Sequence, residues 1–120
     1  MSDDTPIFPA QVEAKILEIS NRLGKSAKVC DERYRAYLDA ELEFEKARAV
    51  AEEAAEGSIQ SKKNQALIET YELKKALNVA ESAWKYADRL ARNLAHELSA
   101  YQSVGQLVKA TYGAAGVGER

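Results

Sequence analysis

Cysteine, histidine, tryptophan, proline and long apolar runs are all scarce in this sequence, and each scarcity removes a class of protein. Cys30 is the only cysteine, so no internal disulfide can form and the fold needs no oxidising compartment. His96 is the only histidine, which leaves Cys30 as its only soft partner for a metal ion; structural sites need three or four converging ligands. No stretch approaches the roughly 18 apolar residues of a membrane span, and no membrane partner is expected. The opening Met1-Ser2-Asp3-Asp4 is acidic, the reverse of a secretory leader. A cytoplasmic protein is therefore the expectation. The only prolines, Pro6 and Pro9, precede every periodic segment.

What is abundant is helix-forming. Ala, Glu, Lys, Leu and Arg supply 63 of 120 residues, the composition of long helices and coiled coils. The length suits one domain. Formal charge is −2, which gives no global attraction to nucleic acid or anionic membrane.

The expected architecture is all-α: an antiparallel, coiled-coil-like elongated helical hairpin preceded by a short helix, and oligomeric. Residues 1–8 are expected to be a flexible N-terminus, 9–112 one helical domain, and 113–120 a flexible glycine-rich tail. Pro9 suits a first helical turn. Val12, Ile16, Ile19 and Leu23 then recur at helical spacing before Gly24, which predicts a first helix over 9–23 closed by a glycine cap. Ser26 would cap a second helix over 27–56, with a seam of Tyr37, Ala40, Phe44, Ala47, Ala51 and Ala54. Gly57-Ser58 forms the turn, glycine leaving one helix and serine capping the next. A third helix is expected over 60–112. Its heptad positions run from Ala66 through Thr70, Leu73, Leu77, Ala80, Trp84, Ala87, Ala91, Leu94, Leu98, Tyr101, Gly105 and Val108 to Tyr112. Only Thr70 and Gly105 depart from apolar type, and a repeat this long marks a coiled-coil seam. Gly105 is the expected place for a bend or early end.

Charge supports the pairing. Residues 39–56 carry a balance of −5 and residues 58–92 one of +3, which biases alignment more than it adds stability. Folding back at Gly57 places Cys30 near Lys85 and builds a hairpin core around Phe44, Leu73, Leu77 and Trp84. The third helix also carries a second apolar stripe on another face: Val79, Ala83, Tyr86, Leu90, Ala100, Val104 and Leu107. Two stripes require two partners. The expected second partner is another copy, most simply in a dimer; the alternative is a monomeric three-helix bundle with the first helix in the groove.

Catalysis is not expected. His96 and Cys30 would lie about 16 Å apart along the rod, too far for one ion or for cysteine–histidine chemistry. Asp31-Glu32 and Glu52-Glu53 are sequence neighbours that point to different helical faces, whereas an acid–base pair must converge. No phosphate-binding glycine loop occurs, and no cofactor is expected. Arg22, Lys25 and Lys28 fall opposite Lys85, Arg89 and Arg92, with Arg33 and Arg35 nearby, a belt that could contact phosphates. Asp31, Glu32, Glu81 and Asp88 occupy the same zone. Tyr34, Tyr37, Tyr86 and Trp84 could stack on bases, but the last three sit on apolar seams. The expected function is a non-catalytic, homo-oligomeric structural or adaptor protein with a protein partner; the alternative is an accessory of DNA replication or recombination that uses the belt.

Ala47 to Ser58 (ARAVAEEAAEGS) and Leu90 to Val104 (LARNLAHELSAYQSV) resemble stretches of small helical proteins encoded by phages of actinobacteria, over roughly residues 30–108. The resemblance implies a phage accessory or interaction protein in the host cytoplasm and carries over no catalytic residue. In size the chain is also similar to secreted helical hairpins of the Trp-x-Gly type, but Trp84 lies mid-helix without that turn.

Overall fold

The computed structural model describes residues 8–115, which form three helices and no strand. The N-terminal segment before Phe8 and most of the glycine-rich tail lie outside the described residues. α1 spans Pro9–Ala54, α2 Ile59–Glu69 and α3 Tyr71–Ala115. An all-α architecture built on a helical hairpin is what the composition led one to expect.

The start of α1 is closed from both directions. The carbonyl of Phe8 accepts from the amides of Gln11 and Val12 at 3.0 and 3.2 Å. The Gln11 side chain reaches back to accept from the Phe8 amide at 3.1 Å, one half of a capping box. Pro9 occupies the first turn, where its missing N–H leaves no bond unmade.

The predicted break at Gly24 does not occur, and α1 is one helix of 46 residues. The reason is a seam that passes straight through. After Leu23 the heptad continues with Ser26, Cys30, Arg33 and Tyr37, joining the two short repeats in register. Every seam position from Val12 to Ala51 is buried or half-buried. A mid-helix glycine costs only about 1 kcal/mol, which packing on both sides outweighs. Ser26 is accordingly a helix-interior residue and caps nothing.

The turn between Ala54 and Ile59 uses the residues anticipated for it. Gly57 is the one described residue with positive φ, at 114°, a conformation closed to most side chains. Ser58 accepts from the Ser61 amide at 3.1 Å, satisfying an otherwise open helix-end donor. The Gln65 side chain donates to the Glu56 carbonyl at 2.9 Å and ties the turn to α2.

The expected third helix is broken once, at Thr70. Its hydroxyl donates to the Ala66 carbonyl at 2.6 Å, a back-bond that competes with regular helix geometry and bends it. Thr70 is buried, so this local bond also satisfies a hydroxyl that would be costly to bury alone. Gly105, by contrast, neither bends nor ends α3, which continues beyond the expected Tyr112 to Ala115.

The chain divides into two compact units. One comprises residues 28–89, the other residues 1–27 with 90–120. In the first, the two sides of the turn run antiparallel: Arg33 donates to the Ala83 carbonyl, Trp84 packs against Tyr34 and Tyr37, and Lys74 lies 5.1 Å over the Phe44 ring. Phe44, Ala51, Ala66, Leu77 and Ala87 are buried there. In the second, Val12 and Ile19 are the buried apolar residues of α1, and Val12 approaches Gly105. A Cβ at Gly105 would stand 3.3 Å from a Val12 methyl. The glycine in the heptad is thus a close-approach site between helices.

Candidate interaction surface

The α3 seam is closed by the chain itself. From Ala66 to Val108 every heptad position is buried or half-buried, and only Tyr112 is exposed. Among the proposed hairpin-core residues, Phe44 and Leu77 are buried, while Leu73 and Trp84 are half-buried. Trp84 belongs to a triangle of rings: it stacks on Tyr37 at 5.4 Å with a 7° interplanar angle and meets Tyr34 at 4.8 Å, the two tyrosines being 6.3 Å apart. Tyr37 donates to Glu41 at 3.1 Å. That bond holds its phenol above the ordinary tyrosine range, aided by partial desolvation and the negative charges of Glu41 and Glu81. The aromatic group is therefore engaged in packing.

The second stripe is open. In the unit of residues 28–89, Val79 and Tyr86 are 66% and 53% exposed, and Ala83 is half-buried. In the other unit, Leu90 and Ala100 are exposed, Val104 is half-buried, and Leu107 is 69% exposed. Beside this second group lies a hollow of about 470 Å³ lined by Gln11, Val12, Lys15, Ala100, Tyr101 and Val104. Its lining joins the seam residues Val12 and Tyr101 and the stripe residues Ala100 and Val104 to the polar side chains of Gln11 and Lys15.

The basic residues are dispersed in role. Arg22, Lys25, Lys28 and Arg89 are exposed. Lys85 pairs with Glu81 at 3.6 Å, Arg35 with Asp31 at 3.0 Å, Arg33 turns to a backbone carbonyl, and Arg92 is also engaged. Lys85 and Arg35 are thus locally compensated.

No group of three or more histidine, cysteine, aspartate or glutamate side chains that could hold a metal ion occurs among the described residues. His96 is exposed and Cys30 half-buried. Among the described residues, no helix is long and apolar enough to cross a membrane. Sequence reasoning missed the exposed apolar residues around the α2–α3 break, Leu67, Ile68 and Tyr71. They fall outside both heptad rows, so periodicity gave no signal for them.

The class these features define is an all-α helical-hairpin protein with unpartnered apolar stripes. Compared with known proteins, the chain matches no family model, no curated protein and no solved structure.

Proposed function

We propose that this chain is a non-catalytic interaction protein, structural or adaptor in role, that works as a homo-oligomer and presents helical surfaces to a protein partner. One observation carries the reading: α3 keeps a row of large apolar side chains in water although its seam is already filled. Burying a side chain of this size is worth about 1.5–3 kcal/mol, so a partner helix laid along Val79 and Tyr86 in one unit, or along Leu90 and Leu107 in the other, has a substantial driving force. Exposed apolar patches of this kind mark interaction sites. A second copy is the simplest source of such a helix, and a role in a phage-infected host cytoplasm fits the resemblance of residues 30–108.

Leu90→Glu and Leu107→Glu test the proposal. Each places a charge on the stripe without touching the seam, so helicity by circular dichroism should persist while the particle mass from light scattering falls. A wild-type chain that already measures 13.2 kDa at micromolar concentration would remove the oligomer from the proposal.

A further inference from the structure

The short helix α2 is joined to the rest of its unit by small contacts at both ends. We propose that α2 is a hinged arm that opens and recloses on its own while the remainder of residues 28–89 stays folded, with Thr70 as the switch between the two states.

Ile59, Leu67 and Ile68 are the large apolar residues of α2, and they are 76%, 53% and 76% exposed. The residue it does bury is an alanine, Ala66. Beside its C-terminal end lies a hollow of about 310 Å³, bounded by Ala47, Ala51 and Ala54 of α1 and by Thr70 and Leu73. A contact made largely of alanine removes little area from water, and a helix of 11 residues is marginal in water by itself. The same unit is anchored elsewhere by Phe44, Leu77 and the rings of Tyr34, Tyr37 and Trp84. The interruption of the helix at Thr70 separates the weak part from the strong one, so unwinding of α2 need not run on into α3.

Thr70 has two hydrogen-bonding states open to it. In the closed arm its amide and hydroxyl both donate to the Ala66 carbonyl, at 3.0 and 2.6 Å. Its own carbonyl accepts from the Lys74 amide at 2.9 Å, which is the bond an N-cap residue makes. The amides of Tyr71, Glu72 and Leu73 open α3 and have no partner within it. When α2 unwinds, the Ala66 carbonyl leaves, Thr70 relaxes to extended backbone, and its hydroxyl accepts from the Leu73 amide. The helix start then has both a side-chain cap and an acid, Glu72, in its first turn, a favourable arrangement at the positive end of a helix dipole. Loss of the back-bond is offset by the new cap, and α3 is left closed rather than frayed. Opening turns the tight connection into a linker over residues 55–70 and uncovers the alanine face of α1 around Ala51. It does not depend on the α3 stripe.

Hydrogen–deuterium exchange of the full-length chain, resolved by residue with NMR, tests this. Amides of residues 62–69 should exchange about a hundredfold faster than those of residues 75–88. Their rates should barely respond to low urea, because a local opening exposes little surface. Two variants should move the arm in opposite directions. Thr70→Asp cannot donate to the Ala66 carbonyl and caps α3 well, so exchange in 62–69 should quicken about tenfold with 75–88 unchanged. Thr70→Leu removes the cap of the open state and fills the neighbouring hollow, so exchange in 62–69 should slow by about tenfold. General damage to the fold would quicken both stretches together. Equal protection of 62–69 and 75–88 in the wild type, variants that shift 62–69 in the same direction, or changes shared by both stretches would overturn the inference.

Discussion

Gly24 and Gly105 both sit inside long helices, yet substituting them should move stability in opposite directions. No atom outside the local helix lies within 4 Å of where a Cβ at Gly24 would be. Gly24→Ala should therefore recover helix propensity and raise stability by about 0.5–1 kcal/mol, measured as a higher midpoint in urea unfolding. At Gly105 an added Cβ would stand 3.3 Å from a Val12 methyl, so Gly105→Leu should lower stability by about 1–3 kcal/mol through overpacking. The two glycines look alike in a sequence, where each reads as a helix stop or bend. What distinguishes them from a true stop is backbone conformation, and only Gly57 takes the left-handed φ. Tyr37 gives a residue-scale prediction in pH. Its phenol is raised above the ordinary value, chiefly by donating to Glu41. The protonated form is thus favoured by folding, and its contribution is complete below the ordinary tyrosine pKa. It is lost as pH climbs through the higher folded value. An ultraviolet absorbance titration should show one phenol ionising late, and Tyr37→Phe should remove that late step. Glu41→Gln should move it back toward the ordinary range.

At the scale of the element, the seam is the quantity the sequence made legible. The α3 heptad was readable from Ala66 to Val108 because long apolar repeats depend only on spacing, and every position proved buried or half-buried. The continuity of α1 was equally present, since Leu23, Ser26, Cys30, Arg33 and Tyr37 keep the same phase. It was obscured because serine and arginine do not register as apolar. Arg33 tolerates a half-buried position by covering apolar surface with its stem while its guanidinium reaches the Ala83 carbonyl. The break at Thr70 was visible only as an odd letter in the heptad; no sequence rule tells a tolerated threonine from one that back-bonds. Energetically the seam is uneven. Ala66 and Ala87 bury little area, so the few large residues carry the packing. Leu77→Ala should cost about 2–5 kcal/mol, with Leu73→Ala costing less because Leu73 is only half-buried. Chemical denaturation of both variants checks the order.

For the molecule as a whole, charge decides whether nucleic acid competes with protein as a partner. The near-neutral total of −2 offers no general attraction, so binding to a polyanion must come from a local excess of exposed bases. The sequence placed Arg22, Lys25, Lys28, Lys85, Arg89 and Arg92 in one zone but could not say which would be neutralised by neighbours, because an i to i+4 pairing depends on rotamers. Within that proposed belt, Lys85 is held by Glu81 and Arg35 by Asp31, while Arg22, Lys25, Lys28 and Arg89 are exposed. Aromatic stacking adds nothing at Tyr37 and Trp84, whose rings are already paired with each other. Four dispersed bases on a slightly acidic protein make a weak site. The expectation is that neither single-stranded nor duplex DNA binds with micromolar affinity at about 50 mM salt, as measured by fluorescence anisotropy. The opposite result has its own signature: affinity that collapses by about 200 mM salt, with a smaller salt slope in Arg89→Ala because one phosphate contact is lost. That pattern would move the protein from the adaptor class to the nucleic-acid accessory class, since a contact through apolar helix faces has no reason to weaken so steeply with ionic strength.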